Sequence, residues 1–168
     1  MLKIGDTVLY GATGVCTVTD IVTREIGGIK KEYFVLSAVA NDNCTVFVPT
    51  DNIELQKKMR KILSKKEVLA LIKEIPNEAD IWEENEVKRR ELFSDILHGG
   101  DRKKLMLLVR SLYNHKEERR KENKRLLVAD ERFMNEAERL LYDEFAAVLD
   151  IKPDEVVNFI LQKINPID

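Results

Sequence analysis

The sequence is poor in the residues that build metal centres, disulfide frameworks and catalytic triads. Its 168 residues include 2 cysteines, 2 histidines and 1 tryptophan. Cys16 and Cys44 lie far apart without a CxxC partner, which argues against a secreted disulfide scaffold and a zinc site. His98 and His115 have no spaced carboxylate, cysteine or second histidine to complete a metal site or triad. We therefore expect no cofactor and no metal, and catalysis has little support.

Long apolar runs are also missing. No segment approaches the roughly 20 residues that span a bilayer, and the opening residues 1–5 do not have the pattern of a signal peptide. Charged residues make up 35% and the hydrophobic class 44%, which is typical of a folded soluble chain. These features predict a soluble protein in a reducing cytoplasm.

The nearly neutral total charge conceals alternating charged blocks. With 28 basic and 30 acidic residues, the formal net charge is −2. Residues 56–75 and 101–133 each carry an excess of 5 basic residues, whereas 1–55, 76–100 and 134–168 are acidic. The sign of the total therefore says little about partners, and what matters is whether the basic blocks share a face.

The first fifty residues have the pattern of short strands. The run 7–10 is rich in β-formers and ends at a turn cluster, 11–14. The next segment, 15–22, alternates apolar and polar residues, and Gly27-Gly28 closes a hairpin into 32–36. After an expected polar loop at 41–43, a last run, 45–48, stops at Pro49. Four or five such strands predict a small barrel or sandwich with open edges suited to docking.

The remaining sequence predicts four or five helices. Ser64 to Glu67 has the form of a capping box, and Gly99-Gly100 supplies a left-handed helix end. Asp101 and Asp130 are the expected N-caps of two further helices, and Pro153 suits the first turn of a last one. The second half is therefore expected to be an all-helical bundle.

Clusters of cations on these helices have two interpretations. They could form a broad surface for a phosphate backbone, or they could pair with the intervening glutamates on a solvated face. Trp82 also has two interpretations, because an aromatic residue in a polar stretch could be a core anchor or an exposed wedge. The basic residues concerned are Lys88, Arg89, Arg90, Arg102, Lys103, Lys104, Arg110, Lys116, Arg119, Arg120, Lys124 and Arg125.

Several motifs occur in an order that resembles a known family. The opening Lys3-Ile4-Gly5-Asp6-Thr7-Val8-Leu9-Tyr10, the hairpin segment Lys31 to Leu36 and Val46-Phe47-Val48-Pro49 are similar to the CarD/CdnL family of bacterial transcription regulators. So are Gly100-Asp101, Val109 to Tyr113, and Ala137 to Leu141 leading to Glu144-Phe145-Ala146. The resemblance extends over nearly the whole chain.

The resemblance implies an α+β protein without enzymatic activity. A small Tudor-like five-stranded β-barrel, residues 1–60, would bind the β-subunit of bacterial RNA polymerase. An all-α helical bundle, residues 61–168, would contact promoter DNA, mainly through its backbone, and stabilise the open complex. The family's polymerase-contact positions map onto Arg24 and Phe47, where Phe47 replaces a basic residue, and Glu32 of the same hairpin joins them. A monomer is expected.

The DNA side departs further from the family pattern. Its wedge tryptophan falls on Glu86, one helical turn from Trp82, whereas the following basic pair matches Lys88 and Arg89. A later basic pair maps onto Glu131 and Arg132. The alternative function is a protein-interaction adaptor that never touches DNA. The predicted DNA-contacting set is Trp82, Lys88, Arg89, Arg90, Arg102, Lys124, Arg125 and Arg132.

Overall fold

The computed structural model describes residues 2–165 and divides the chain into two compact units. The first unit ends at Leu63 and the second begins at Ser64, three residues after the boundary expected from the sequence. The first unit contains the sheet and the second is helical. The predicted α+β class is therefore confirmed.

The first unit is one antiparallel sheet of five strands in the order β4-β3-β2-β1-β5. The hydrogen bonding does not close this sheet into the expected barrel, because β4 and β5 are its two ends. A short helix, α1, precedes the last strand. The elements are β1 (Thr7–Tyr10), β2 (Gly14–Ile26), β3 (Ile29–Ala38), β4 (Asn41–Pro49), α1 (Ile53–Lys57) and β5 (Met59–Lys61).

One face of the sheet carries the core of this unit. Side chains alternate along a strand, so residues paired across neighbouring strands share a face. The register pairs Leu36 with Val18 and Val46, and Phe34 with Val48, on the core face. A β-bulge between Val18 and Asp20 shifts the pairing of β2 with β3. The core is Val8, Cys16, Val18, Phe34, Leu36, Ala38 and Val48.

Two features of the sheet differ from the expectation. Residues 41–43, expected to form a loop, belong to β4, because polar side chains on an exposed edge strand do not interrupt its pairing with β3. α1 and β5 were not predicted individually. Asn52 caps α1 by accepting a hydrogen bond from the Leu55 amide at 3.0 Å, and β5 has only three residues.

The second unit packs five α-helices, of which three have the predicted starts or ends. The Ser64 hydroxyl accepts from the Glu67 amide at 3.3 Å while the Glu67 carboxylate accepts from the Ser64 amide at 2.7 Å. Gly100 ends α3 with φ 71°, and the Asp101 carboxylate caps α4 through the Lys104 amide. The helices are α2 (Lys65–Glu74), α3 (Glu86–Gly99), α4 (Arg102–Lys121), α5 (Val128–Leu149) and α6 (Val156–Ile164).

The predicted cap at Asp130 is wrong. α5 begins at Val128 with Leu127 at the cap position, so Asp130 lies inside the first turn, where it is 1% exposed. Pro153 opens a short 3₁₀ turn that runs directly into α6. Within residues 2–165, none of the helices has the combination of length and apolar character required to cross a bilayer.

Candidate protein and nucleic-acid interfaces

Arg24 and Phe47 form a contact on the sheet face opposite the core. The Arg24 guanidinium carbon lies 3.9 Å from the centroid of the Phe47 ring. The register places Arg24 opposite Lys31 and Phe47 opposite Val35, and Lys31 and Val35 lie on the same face of β3. The Arg24 guanidinium therefore stacks on the exposed Phe47 ring, and the two residues form one surface patch that is both apolar and cationic.

Glu32 does not join this patch. It pairs with Thr23, one step from the Arg24–Lys31 pair, so its side chain is on the core side of the sheet. Its carbonyl accepts from the Thr50 amide at 2.9 Å and the Thr50 hydroxyl at 3.2 Å. Its side chain borders a groove of about 800 Å³ whose lining includes Leu2 and Met59. The three predicted contact residues thus lie on two faces of the sheet.

The sheet also has two free ends. β4 pairs with β3 alone and β5 with β1 alone among the described strands. The outer edge of β4 runs over nine residues and includes Phe47. An unpaired edge of this kind offers amides and carbonyls to an additional strand.

Arg89 is buried rather than presented to solvent, which corrects its placement on a DNA surface. It is 4% exposed and donates from Nε to Asp130 at 3.1 Å and from Nη2 to the second Asp130 oxygen at 3.0 Å. Its Nη1 donates to the carbonyls of Glu83 and Glu84. Arg89 therefore ties the first turns of α3 and α5 to the segment before α3.

Trp82 packs within the helical unit. Its ring stacks on His115 with centroids 3.8 Å apart, meets Phe93 edge-on at 6.0 Å and has the Arg89 guanidinium 4.7 Å from its centroid. These contacts leave it half-buried and favour the core-anchor interpretation over an exposed wedge. Burial and then the Arg119 charge lower the pKa of His115.

Arg102 and Arg90 are also held in ion pairs, but in different surroundings. Arg102 donates from Nε and Nη2 to the carboxylate of Glu144, each at 3.1 Å, and Glu144 is 1% exposed. Arg102 is thus a partner for a buried charge, which corrects its assignment to the DNA set. Arg90 pairs with Glu86 one turn away on the exposed surface of α3.

The other four predicted cations are exposed, and the buried Arg89–Asp130 pair joins the starts of α3 and α5, which carry Lys88 and Arg132. Lys88 precedes Arg89 at the start of α3, and Arg132 follows Asp130 by two residues in α5. Lys124 and Arg125 lie just before α5 begins. We call Lys88, Lys124, Arg125 and Arg132 the cationic end of the helical unit.

The C-terminus of α4 ends in a tight turn just before Lys124 and Arg125. Asn123 has φ 58°, and the Lys124 amide donates to the Arg119 carbonyl at 2.8 Å while the Asn123 amide donates to the Arg120 carbonyl. This is the hydrogen-bond pattern of a Schellman motif. The Arg119 side chain then caps the Arg125 carbonyl, so that the connection to α5 is ordered.

A second polar cluster was not predicted because its members are thirty or more residues apart. The Asp80 carboxylate accepts from Arg110 at 2.8 Å and from Asn114 at 3.0 Å. Burial acts to raise the pKa of Asp80, but the hydrogen bonds and the Arg110 charge outweigh it and hold that pKa below its usual value. The cluster fixes the segment before α3 to α4, and no local sequence pattern signals it.

One comparison with known proteins concerns the first unit. Residues 2–63 match the family model described as CarD-like/TRCF RID domain. The match ends at Leu63, where the first structural unit also ends.

Proposed function

We propose, from the match of residues 2–63 to the CarD-like/TRCF RID domain, that the chain is a CarD-like protein that binds the β-subunit of RNA polymerase and stabilises the open promoter complex. The RID domain makes it an RNA polymerase-interacting, transcription-related protein. In this proposal the first unit is a Tudor-like module that binds polymerase, and the helical unit contacts promoter DNA. The protein acts as a cytoplasmic monomer without catalysis or a cofactor.

The polymerase contact is assigned to the outer side of the sheet beside β4. The Arg24–Phe47 patch lies next to an edge strand with free backbone groups, so a strand from the partner can pair while its side chains meet the patch. Glu32 borders the other face, and we assign it a role at the groove rather than at this edge.

The DNA contact is assigned to the cationic end. Lys88 and Arg132 are exposed close to the starts of α3 and α5, where the helix dipoles add positive potential, and Lys124 and Arg125 are exposed in the connection between α4 and α5. Such groups contact phosphates without reading sequence. Arg90 lies on the same helix as Lys88, although its charge is shared with Glu86. Trp82 supports this surface from within.

Weak DNA contacts suffice in this arrangement. Binding to polymerase raises the local concentration of the helical unit near the promoter. One or two phosphate contacts of about 1 kcal/mol each that exist only on melted promoter DNA would then lengthen the lifetime of the open complex by about five- to thirtyfold. The observation that carries the proposal is the RID match together with exposed cations on the second unit.

The test measures open-complex lifetime on a promoter with an unstable bubble, with and without the protein. We expect the wild type to lengthen it and the variant K124Q/R125Q to lose most of the effect. The matched control K65Q/K66Q removes the same charge from exposed positions on α2 and should behave as wild type. A wild-type protein that leaves the lifetime unchanged would refute open-complex stabilisation.

The alternative function, a protein-interaction adaptor, is favoured by one observation. Arg89 and Arg102 are committed to internal ion pairs, so two of the predicted DNA contacts are internal. An adaptor would bind polymerase equally well with K124Q/R125Q and K88Q/R132Q, and neither variant would change the promoter complex. That result would select the adaptor.

A further inference from the structure

The last part of α4 extends beyond the buried core of the helical unit. Leu112 is the last buried residue of this helix, and every residue from Tyr113 to Lys121 is half-buried or exposed. The four residues that follow, 122–125, are all exposed. Apolar packing therefore does little to define the connection to α5. Its order depends on polar contacts, several of which involve Arg119.

Arg119 holds both residues that follow the turn. Its carbonyl accepts from the Lys124 amide at 2.8 Å, and its Nε donates to the Arg125 carbonyl. The first of these hydrogen bonds belongs to the Schellman motif. The second is an additional bond from a guanidinium, whose charge strengthens it. A single residue of α4 thus fixes the backbone of two exposed cations.

The turn also requires a residue that tolerates a left-handed backbone. Asn123 has φ 58°, a region that asparagine enters more readily than most residues with a Cβ and that glycine enters at no steric cost. A β-branched side chain would be strained at this φ. Position 123 is therefore a place where the turn can be disturbed without changing any charge.

The two cations after the turn are not equally available to a ligand. The Lys124 ammonium lies 2.9 Å from a carboxylate oxygen of Glu122, and this hydrogen bond, followed by the Lys124 charge, lowers the pKa of Glu122. A phosphate must compete with Glu122 for Lys124. The side chain of Arg125 is exposed, and no residue within the described range 2–165 forms an ion pair with it.

We propose that Arg125 is the main phosphate contact of the cationic end and that Arg119 is its positioning residue. This deepens the proposed function and rests on it. Arg119 is half-buried and its guanidinium is bound to the Arg125 carbonyl, so it acts without touching DNA. Because the backbone of Arg125 is already ordered, less conformational freedom is lost when its side chain meets a phosphate. Its contact is therefore stronger than that of the same cation on a mobile loop.

The test measures the lifetime of the open promoter complex with full-length variants of the protein. R125Q should reduce the extension of that lifetime by at least about threefold. K124Q should reduce it less, because Glu122 already holds Lys124. R119Q should reduce it as much as R125Q does, although Arg119 itself contacts no phosphate.

A double variant distinguishes positioning from a second DNA contact. If Arg119 acts only through Arg125, then R119Q/R125Q should lose no more than R125Q alone. The matched control R120Q removes the same charge from the next residue of α4, where Arg120 pairs with Glu117 at 3.6 Å on the exposed surface. That control should stay within about twofold of wild type.

A second pair of variants disturbs the turn and leaves every charge in place. N123V should lose as much as R119Q, because valine is strained at this φ, whereas N123G should behave as wild type. The fluorescence of Trp82, which packs within the helical unit, reports whether that unit is folded in each variant under the conditions of the assay.

The outcomes separate this inference from the proposed function. If the wild type lengthens the lifetime and R125Q or R119Q lengthens it equally, the inference is refuted while the proposed function stands. Additive losses in R119Q/R125Q would make Arg119 a separate contact, and a loss by R120Q equal to that by R119Q would indicate an effect of total charge. Either result overturns the positioning role. A wild type without effect on the lifetime refutes both the inference and the proposed function.

Discussion

Replacing Arg89 by methionine should strongly destabilise the helical unit. The substitution leaves the Asp130 carboxylate, 2% exposed, without the two hydrogen bonds it receives from Arg89. Removing one partner of a buried ion pair costs about 3–5 kcal/mol. The carbonyls of Glu83 and Glu84 also lose a donor. A domain of ordinary stability, about 5–15 kcal/mol, would lose at least about a fifth of its free energy of unfolding.

The measurement is urea unfolding followed by the fluorescence of Trp82. Since Trp82 is the single tryptophan and packs against helices of the second unit, it reports on that unit. The control R90M removes an exposed cation whose pair with Glu86 leaves both side chains about half-exposed, at 52% and 49%. That change should stay within about 0.5 kcal/mol.

A double-mutant cycle identifies the cause of the loss. If the cost of R89M is the stranded carboxylate, then R89M/D130L should be more stable than the sum of the single changes implies, by about 2 kcal/mol. A cost below about 1 kcal/mol for R89M, or strict additivity in the cycle, would refute the assignment of Arg89 as an internal structural residue.

Three further changes test other parts of the structure. The pKa of His115 in the folded protein lies below the usual 6.5, so the unfolded chain binds a proton at this position at a higher pH than the folded chain does. The free energy of unfolding should therefore fall as the pH drops from about 7 to about 5. The variant H115F should reduce that fall in urea titrations followed by Trp82 fluorescence. Burial, and then the neighbouring Cys44, raises the pKa of Cys16 to about 11, so only about a thousandth of the Cys16 side chains are thiolate near pH 8. In the variant C44S, iodoacetamide should therefore label Cys16 only after unfolding. Rapid labelling of the folded protein would contradict this prediction. S64A should cost about 1 kcal/mol in thermal or urea unfolding through loss of the capping box, and an unchanged midpoint would contradict that role.

The helix ends that local chemistry controls were predictable. Ser64 with Glu67, Gly100 and Asp101 each act within one turn of the chain, and each has the predicted geometry. Asp130 also precedes an apolar helical pattern, as an N-cap residue would, but it does not cap the helix. Its carboxylate binds the guanidinium of Arg89 on α3, 41 residues away, instead of backbone amides. A charge-assisted pair with two hydrogen bonds is a stronger partner than a single amide. Local pattern therefore fails where a distant partner competes.

The strands show a corresponding limit. Alternation over residues 15–22 predicted a half-buried strand, which forms part of β2, but it did not signal the β-bulge between Val18 and Asp20 that shifts the register. β4 begins in polar residues 41–43, because a strand at the exposed edge of a sheet can pair without an alternating apolar pattern. The residues of the Arg24–Phe47 contact are 23 positions apart, and their meeting depends on register between three strands. That register was not available from composition or periodicity.

Burial changes what a count of basic residues means for this protein. Arg89 and Arg102 are each neutralised by a carboxylate that is at most 2% exposed, so they contribute little to the field outside the helical unit. They act on the surface indirectly, because the Arg89–Asp130 pair joins the starts of α3 and α5 and thereby brings together the segments that carry Lys88 and Arg132. Removing an internal arginine would disperse the exposed cations and weaken an electrostatic contact that the arginine never made. A loss of DNA-dependent activity in such a variant thus locates a contact only when the stability of the helical unit is measured alongside it.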